Sequence, residues 1–477
     1  MSAIRHPAGA LAIAALLLSG CTGDDAVGVE TDGASETGSN SGGESTGGSE
    51  TDIYDLLVAI PGMSVVERDA TNAESRFFEL IYQVPIDHED PGAGDFGITM
   101  TLIHRDTDAP MVLFTTGYHN YFYDNEVELS RLVGGNQLSL EKRFTGASIP
   151  DADWTKLNAA QVAADGHAVV EALKSVYDAP WLRTGGSLGG EDAVYHHYFY
   201  PEDFVGVVSY VAPFVLGLAD SRFVDHFATA VDQGCQGTLE ELQARMLTKE
   251  REGLIEQLEE RVELDEISRL GSYDRALQTL VLELPWNVWQ SYGPLACASL
   301  PAADDPELGA VELIGLLDEY VGVSGVTDAR FATFDAYSYQ AFTQLGRPAV
   351  PLAHLGGLID PDYVDLETGA PPPGVALPFD ADFLPAIHSW VATEATDIVF
   401  IYGDLDPWSA GKIDAADNPS VASYHNPNGL HGANMAQLSP GERAAIEAEI
   451  GEWLGADLGR LGPLGGEGTR PSLRVPR

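Results

Sequence analysis

The run Gly185-Gly186-Ser187-Leu188-Gly189-Gly190 constrains this chain more than any other stretch of its 477 residues. It follows the strand-like segment Trp181-Leu182-Arg183-Thr184 and precedes a helical segment, Glu191 to Tyr200. Glycines on both sides of a serine permit a sharp strand-to-helix turn, where the backbone is crowded and strained, and the turn leaves the hydroxyl exposed at the sheet edge. The Leu188 amide, at the helix start, then points at a developing oxyanion. Ser187 is therefore the expected nucleophile, and the plain alternative is a glycine-rich turn with a solvated serine.

The rest of the body suits such a turn. Four short apolar runs, Met111 to Thr116, Trp181 to Thr184, Phe204 to Val211 and Asp397 to Tyr402, have the character of central strands. Helical spacing of apolar residues covers Leu157 to Tyr177 and Gly441 to Leu454. That alternation is expected of a mostly parallel sheet flanked by helices, and with the serine turn it predicts an α/β fold of the α/β-hydrolase type. Residues 216–345 differ: they hold few strand-like runs, and Glu240 to Glu263 strongly favours helix. We read them as a helical cap inserted between a first core part, 53–215, and a second, 346–458, able to restrict access to a site. Cys235 and Cys297 both fall in the cap, where they can pair in an oxidising compartment or remain as two buried thiols.

A serine hydroxyl needs a base, and the base an orienting acid, in the chain order serine, acid, histidine for this fold. The loop Gly403-Asp404-Leu405-Asp406-Pro407-Trp408 offers Asp406, with Asp404 as its competitor. The setting Gly429-Leu430-His431-Gly432 frees an imidazole from its neighbours, which makes His431 the expected base and His425 the nearest rival. A second oxyanion donor is expected from the loop after an early strand, at the backbone of Gly117 and Tyr118, unless Gly117 merely ends that strand. No metal and no cofactor is called for.

Residues 1–21 carry Arg5, an apolar run Leu11 to Leu18, and Ser19-Gly20-Cys21. The run is too short for a permanent membrane span and reads as an export signal. Leu18-Ser19-Gly20-Cys21 resembles the bacterial lipobox, which implies lipidation of Cys21 and an extracytoplasmic location at a cell-envelope membrane. Residues 22–52 are Gly, Ser, Thr, Asp and Glu with almost nothing to bury, the composition of a flexible, self-repelling tether. Residues 459–477 read as a trailing tail. A formal net charge of -48 repels polyanions and argues against nucleic-acid binding, which leaves the lipid as the expected tie to a membrane.

Several runs in order resemble the bacterial secreted prolyl tri- and tetrapeptidyl aminopeptidases, serine peptidases distantly similar to Pro-Xaa carboxypeptidase. They are Gly134 to Phe144, Asp153 to Leu157, the serine turn with Tyr195 to Asp203, Asp406 to Ser409, and Gly429 to Ala433. The resemblance spans about Phe77 to Leu454. It implies the triad Ser187, Asp406 and His431, peptide substrates, and release of short, often proline-containing peptides from amino termini. Glu191-Asp192 follow the glycines where that family carries methionine, a departure that bears on substrate preference. A free amino terminus calls for a carboxylate at fixed distance, which Glu141 or Glu191 could supply, with an ion pair to Arg143 as the alternative role for Glu141. Trp408 and Tyr118 are candidates to line a proline pocket. An esterase on the same fold, or a binding module without activity, are the competing classes.

Overall fold

The four apolar runs become adjacent strands. The computed structural model describes residues 51–121, 124–360, 371–415, 418–456 and 458, so the export signal, Cys21, the tail and all but the end of the acidic tether lie outside the described residues. Asp52, placed by sequence in the tether, already belongs to the body, since its side chain accepts the Tyr54 N–H and pairs with Arg76.

Nine strands form one sheet: β1 (Met63–Arg68), β2 (Arg76–Pro85), β3 (Asp95–His104), β4 (Met111–Thr115), β5 (Asn136–Leu140), β6 (Trp181–Gly186), β7 (Gly206–Tyr210), β8 (Ile398–Gly403) and β9 (Val421–Asn426). Their order is β1-β2-β3-β5-β4-β6-β7-β8-β9. The β1, β2, β3 and β5 pairings are antiparallel, and every pairing from β5·β4 to β8·β9 is parallel. This is the α/β-hydrolase arrangement. β6, β7 and β8 are buried along their whole length, as strands covered on both faces must be; β8 reads as an unbroken apolar run, while Arg183 and Thr184 interrupt β6 and Ser209 interrupts β7.

Sequence reading left β5 unassigned because polar residues occupy its buried positions. Asn136 Oδ1 accepts from the Arg105 and Asp106 amides, and Gln137 Oε1 from the Val127 amide, so these side chains tie down loops that the apolar pattern does not reveal.

Helices Ala159–Leu173 and Pro440–Leu454 cover the sheet, the latter opened by a Ser439/Glu442 capping box. The helix after the serine runs Leu188–Phe199 and starts earlier than Glu191, because Ser187 itself is its N-cap. We call it the elbow helix.

Between β7 and β8 the described residues form helices and no strand, including Gln233–Met246, Arg251–Glu259, Tyr273–Asn287, Ala310–Tyr320, Asp328–Thr333 and Asp335–Gln340. The single helical run expected over Glu240 to Glu263 is broken at Leu247–Glu250, and the chain doubles back so that Leu242 and Leu258 enter one apolar cluster. That cluster continues past Leu345 to Leu355 and Ile359. Cys235 and Cys297 form a disulfide inside the insertion, with a Cα–Cα distance of 5.4 Å.

Candidate active site

Ser187 sits at the end of β6 with φ 55° and ψ -129°, a left-handed strain that a non-glycine residue tolerates only where the surroundings enforce it. The surroundings do. A Cβ on Gly185 would lie 2.1 Å from the Gly189 carbonyl oxygen, and one on Gly189 would lie 2.1 Å from the Thr115 carbonyl oxygen. The glycines are thus demanded by backbone-on-backbone contact. The Ser187 amide is held by the Tyr210 carbonyl at 2.8 Å. Among the described residues the Leu188 N–H has no acceptor, as the first amide of a helix has none within it, so it stands available to an oxyanion.

β8 delivers Asp406 and β9 delivers His431. Asp406 is fully buried; one carboxylate oxygen lies 2.8 Å from His431 Nδ1 and the other accepts the Trp408 amide at 3.1 Å. His431 is also buried, and its own amide donates to the Gln290 carbonyl at 3.1 Å. The rivals pair with each other instead: His425 Nδ1 meets Asp404 at 2.8 Å on a more open surface. Because β6, β7, β8 and β9 are consecutive and parallel, Ser187, Asp406 and His431 all leave the same edge of the sheet. The structure joins Asp406 to His431 directly. Ser187 Oγ makes no hydrogen bond among the described residues, and nucleophile–base bonds in substrate-free hydrolases are often long.

The second oxyanion donor departs from expectation. Gly117, at φ 80°, packs so tightly that a Cβ there would sit 2.6 Å from the Gly189 amide nitrogen. Yet its N–H donates to Thr115 Oγ1 at 3.1 Å, and the Tyr118 N–H to Thr116 Oγ1 at 3.0 Å. Threonine hydroxyls two residues upstream capture both amides. The Tyr118 ring meets Phe334 and Tyr337 of the insertion, at 5.7 and 6.1 Å between centroids.

Neither expected amine reader is open to substrate. Glu141 is buried and accepts from the Ala147 and Ser148 amides, Ser148 Oγ and the Asn120 amide, so its carboxylate fastens two loops. Arg143 is not its partner but pairs with Asp165 at 2.6 Å. Glu191 is enclosed on the elbow helix, where burial first and the neighbouring Asp192 second push its carboxyl well above the usual range, and Tyr195 Oη donates to it at 3.2 Å. Of Glu141, Glu191 and Trp408, Trp408 alone stands beside the base: half-buried, 6.3 Å from the His431 ring, edge-on to Trp286 at 4.9 Å, with Nε1 donating to Gln290 Oε1 at 3.0 Å.

Sequence reading assigned no role to Lys142 or Gln290. Lys142 forms a buried ion pair with Asp192 at 3.0 Å on the elbow helix, and burial raises the Asp192 carboxyl while Lys142 draws it back down. The one sequence signal for Lys142 is its place two residues past a strand that sequence reading left unassigned. Gln290 has none, since only the fold brings it to His431.

A family described as PS-10 peptidase S37 matches residues 47–462. The chain is 37% identical over 415 residues to a prolyl tri/tetrapeptidyl aminopeptidase of Streptomyces mobaraensis, covering 85% of this chain and 86% of that protein. Among solved structures it is similar to a proline iminopeptidase of Mycobacterium smegmatis (13% identity, TM-score 0.35, 82% of this chain and 99% of that one) and a hydrolase of Pseudomonas aeruginosa (13% identity, TM-score 0.32, 79% and 98%). Those two likenesses are too distant to carry weight. From the family match and the curated relative, together with the hydrolase sheet and its buried acid–base pair, the chain belongs to the peptidase S37 family.

Proposed function

We propose that this protein is a serine exopeptidase that frees tri- or tetrapeptides, often ending in proline, from the amino ends of peptides. Ser187 Oγ attacks the scissile carbonyl while His431 takes its proton, and the Leu188 amide stabilises the resulting oxyanion. His431 returns the proton to the leaving amine. Water then hydrolyses the acyl-enzyme by the same route. Asp406 holds the imidazole tautomer and stabilises its charged form.

One observation carries this reading: the buried Asp406–His431 pair, at 2.8 Å, leaves the same sheet edge as the strained serine. The curated relative's name supports the peptide class and the length released. The test is a mass-resolved digest of a proline-containing peptide library by wild type and Ser187→Ala. Loss of tri- and tetrapeptide products in the variant is expected, and equal turnover of acetylated and free amino termini would overturn the exopeptidase reading.

The same proposal places the enzyme outside the cytoplasm on a lipid at Cys21. Metabolic labelling with palmitate that disappears in Cys21→Ala is the expected result; unlabelled wild type would remove the anchor.

A further inference from the structure

Since Glu141 and Glu191 are occupied, the amine of an exopeptidase substrate has to be met elsewhere. Glu283 lies on helix Tyr273–Asn287 of the insertion, which runs directly into the helical turn Val288–Tyr292 carrying Gln290. Glu283 and Asn287, four residues apart, share one stripe of the α-helix, and Gln290 follows in the π-helical turn. At one end of this continuous helical run, the Gln290 carbonyl holds the His431 amide. At the other, Glu283 is half-buried, and among the described residues its carboxylate accepts only from Asn287 Nδ2, at 3.1 Å, with no ion pair.

Contacts of the insertion lead from the neighbourhood of Glu283 to the loop after β4. Arg330, the cation whose field reaches Glu283, also feels the hydroxyls of Tyr118 and Tyr121. Its guanidinium lies 4.3 Å above the Phe334 ring, and that ring contacts Tyr118 at 5.7 Å. Burial pushes the Glu283 carboxyl up to about 8, against the weaker pull of the Asn287 amide and the Arg330 charge, and no cation among the described residues contacts it. An ammonium ion supplies what such a group lacks.

The spacing matches the product. Seven helical residues at no more than ~1.5 Å each put Glu283 at most roughly 10 Å along the axis from the Gln290 level. An extended peptide advances ~3.4 Å per residue, so the amine of a tripeptide unit lies roughly 10 Å from its scissile carbonyl. We propose that Glu283 receives the free α-ammonium of the substrate and that this helix measures a released piece of about three residues. The assignment rests on the exopeptidase reading and adds the residue that enforces it.

The experiment compares Glu283→Gln with wild type on a tripeptidyl amide whose amino terminus is free or acetylated, with fluorophosphonate labelling of Ser187 reporting an intact site. The variant is expected to raise KM for the free amine about tenfold or more, with the loss falling on KM rather than kcat, and to collapse the preference for free over acetylated substrate. If Glu283→Gln labels poorly, Glu283→Asp, which withdraws the charge by one methylene, decides by the same KM and preference readings. A labelled variant that keeps wild-type KM and preference sinks Glu283 while leaving the exopeptidase intact. Wild type that cleaves both substrates equally removes the exopeptidase reading and Glu283 with it.

Discussion

The carbonyl of Gln290 accepts the backbone N–H of His431 at 3.1 Å, so the proposed base is positioned by the helical insertion as well as by the sheet. The Gln290 side chain reaches the other flank, accepting from Trp408 Nε1 at 3.0 Å. One residue therefore grips both sides of the acid–base pair. Gln290→Ala keeps the carbonyl and deletes the side-chain acceptor, leaving the indole N–H short of a partner. We expect kcat to fall about three- to tenfold with KM nearly unchanged, since small misplacement of a base costs rate rather than binding. Steady-state kinetics on a free-amine peptide checks it.

The insertion that carries Gln290 is stapled by Cys235–Cys297 across 62 residues. Closing a loop of that size removes chain entropy worth about 4 kcal/mol from the unfolded state, in a range of roughly 2–5. Replacing both cysteines by serine should lower the calorimetric Tm and reduce turnover with it. An unchanged Tm would show that the helical packing alone holds the insertion.

Beneath the elbow, Lys142 and Asp192 form an ion pair with both side chains almost fully shielded. Removing one member strands the other charge, so Lys142→Met should cost about 3–5 kcal/mol in urea unfolding. The double variant Lys142→Met with Asp192→Leu should cost less than the sum of the single changes. Additive costs would mean the two groups are not coupled.

His196 supplies a pH signature of the fold. Burial pushes its imidazole down to about 4 from an ordinary 6.5, while Nε2 bonds Asp203 at 3.0 Å. The unfolded chain thus binds more protons between those values, and folding stability is lost as pH falls from 6.5 toward 4, by on the order of 3 kcal/mol. Above 6.5 this contribution is fully present. Urea midpoints across that window should decline in wild type and flatten in His196→Gln, and a parallel decline in both would assign the effect to other groups.

What the sequence determined by itself was local or strictly steric. β4, β7 and β8 are readable because strands buried on both faces are mostly apolar, β6 because its Trp181-Leu182 start runs into the glycine turn, and the glycines around Ser187 because no Cβ fits between the crossing backbones. Asp406 and His431 are readable because their loops follow strand ends in the order the chemistry needs. Tertiary structure decided the rest. Which residue of a distant helix touches His431 depends on groups that meet across a long chain separation, while whether Glu141 fastens loops and whether Thr115 and Thr116 hold the Gly117 and Tyr118 amides depend on how nearby irregular backbone is folded back on itself. Periodicity and motif spacing record what a residue does to its own segment. They carry no trace of a hydrogen bond whose partner is brought near only when the insertion closes over the sheet.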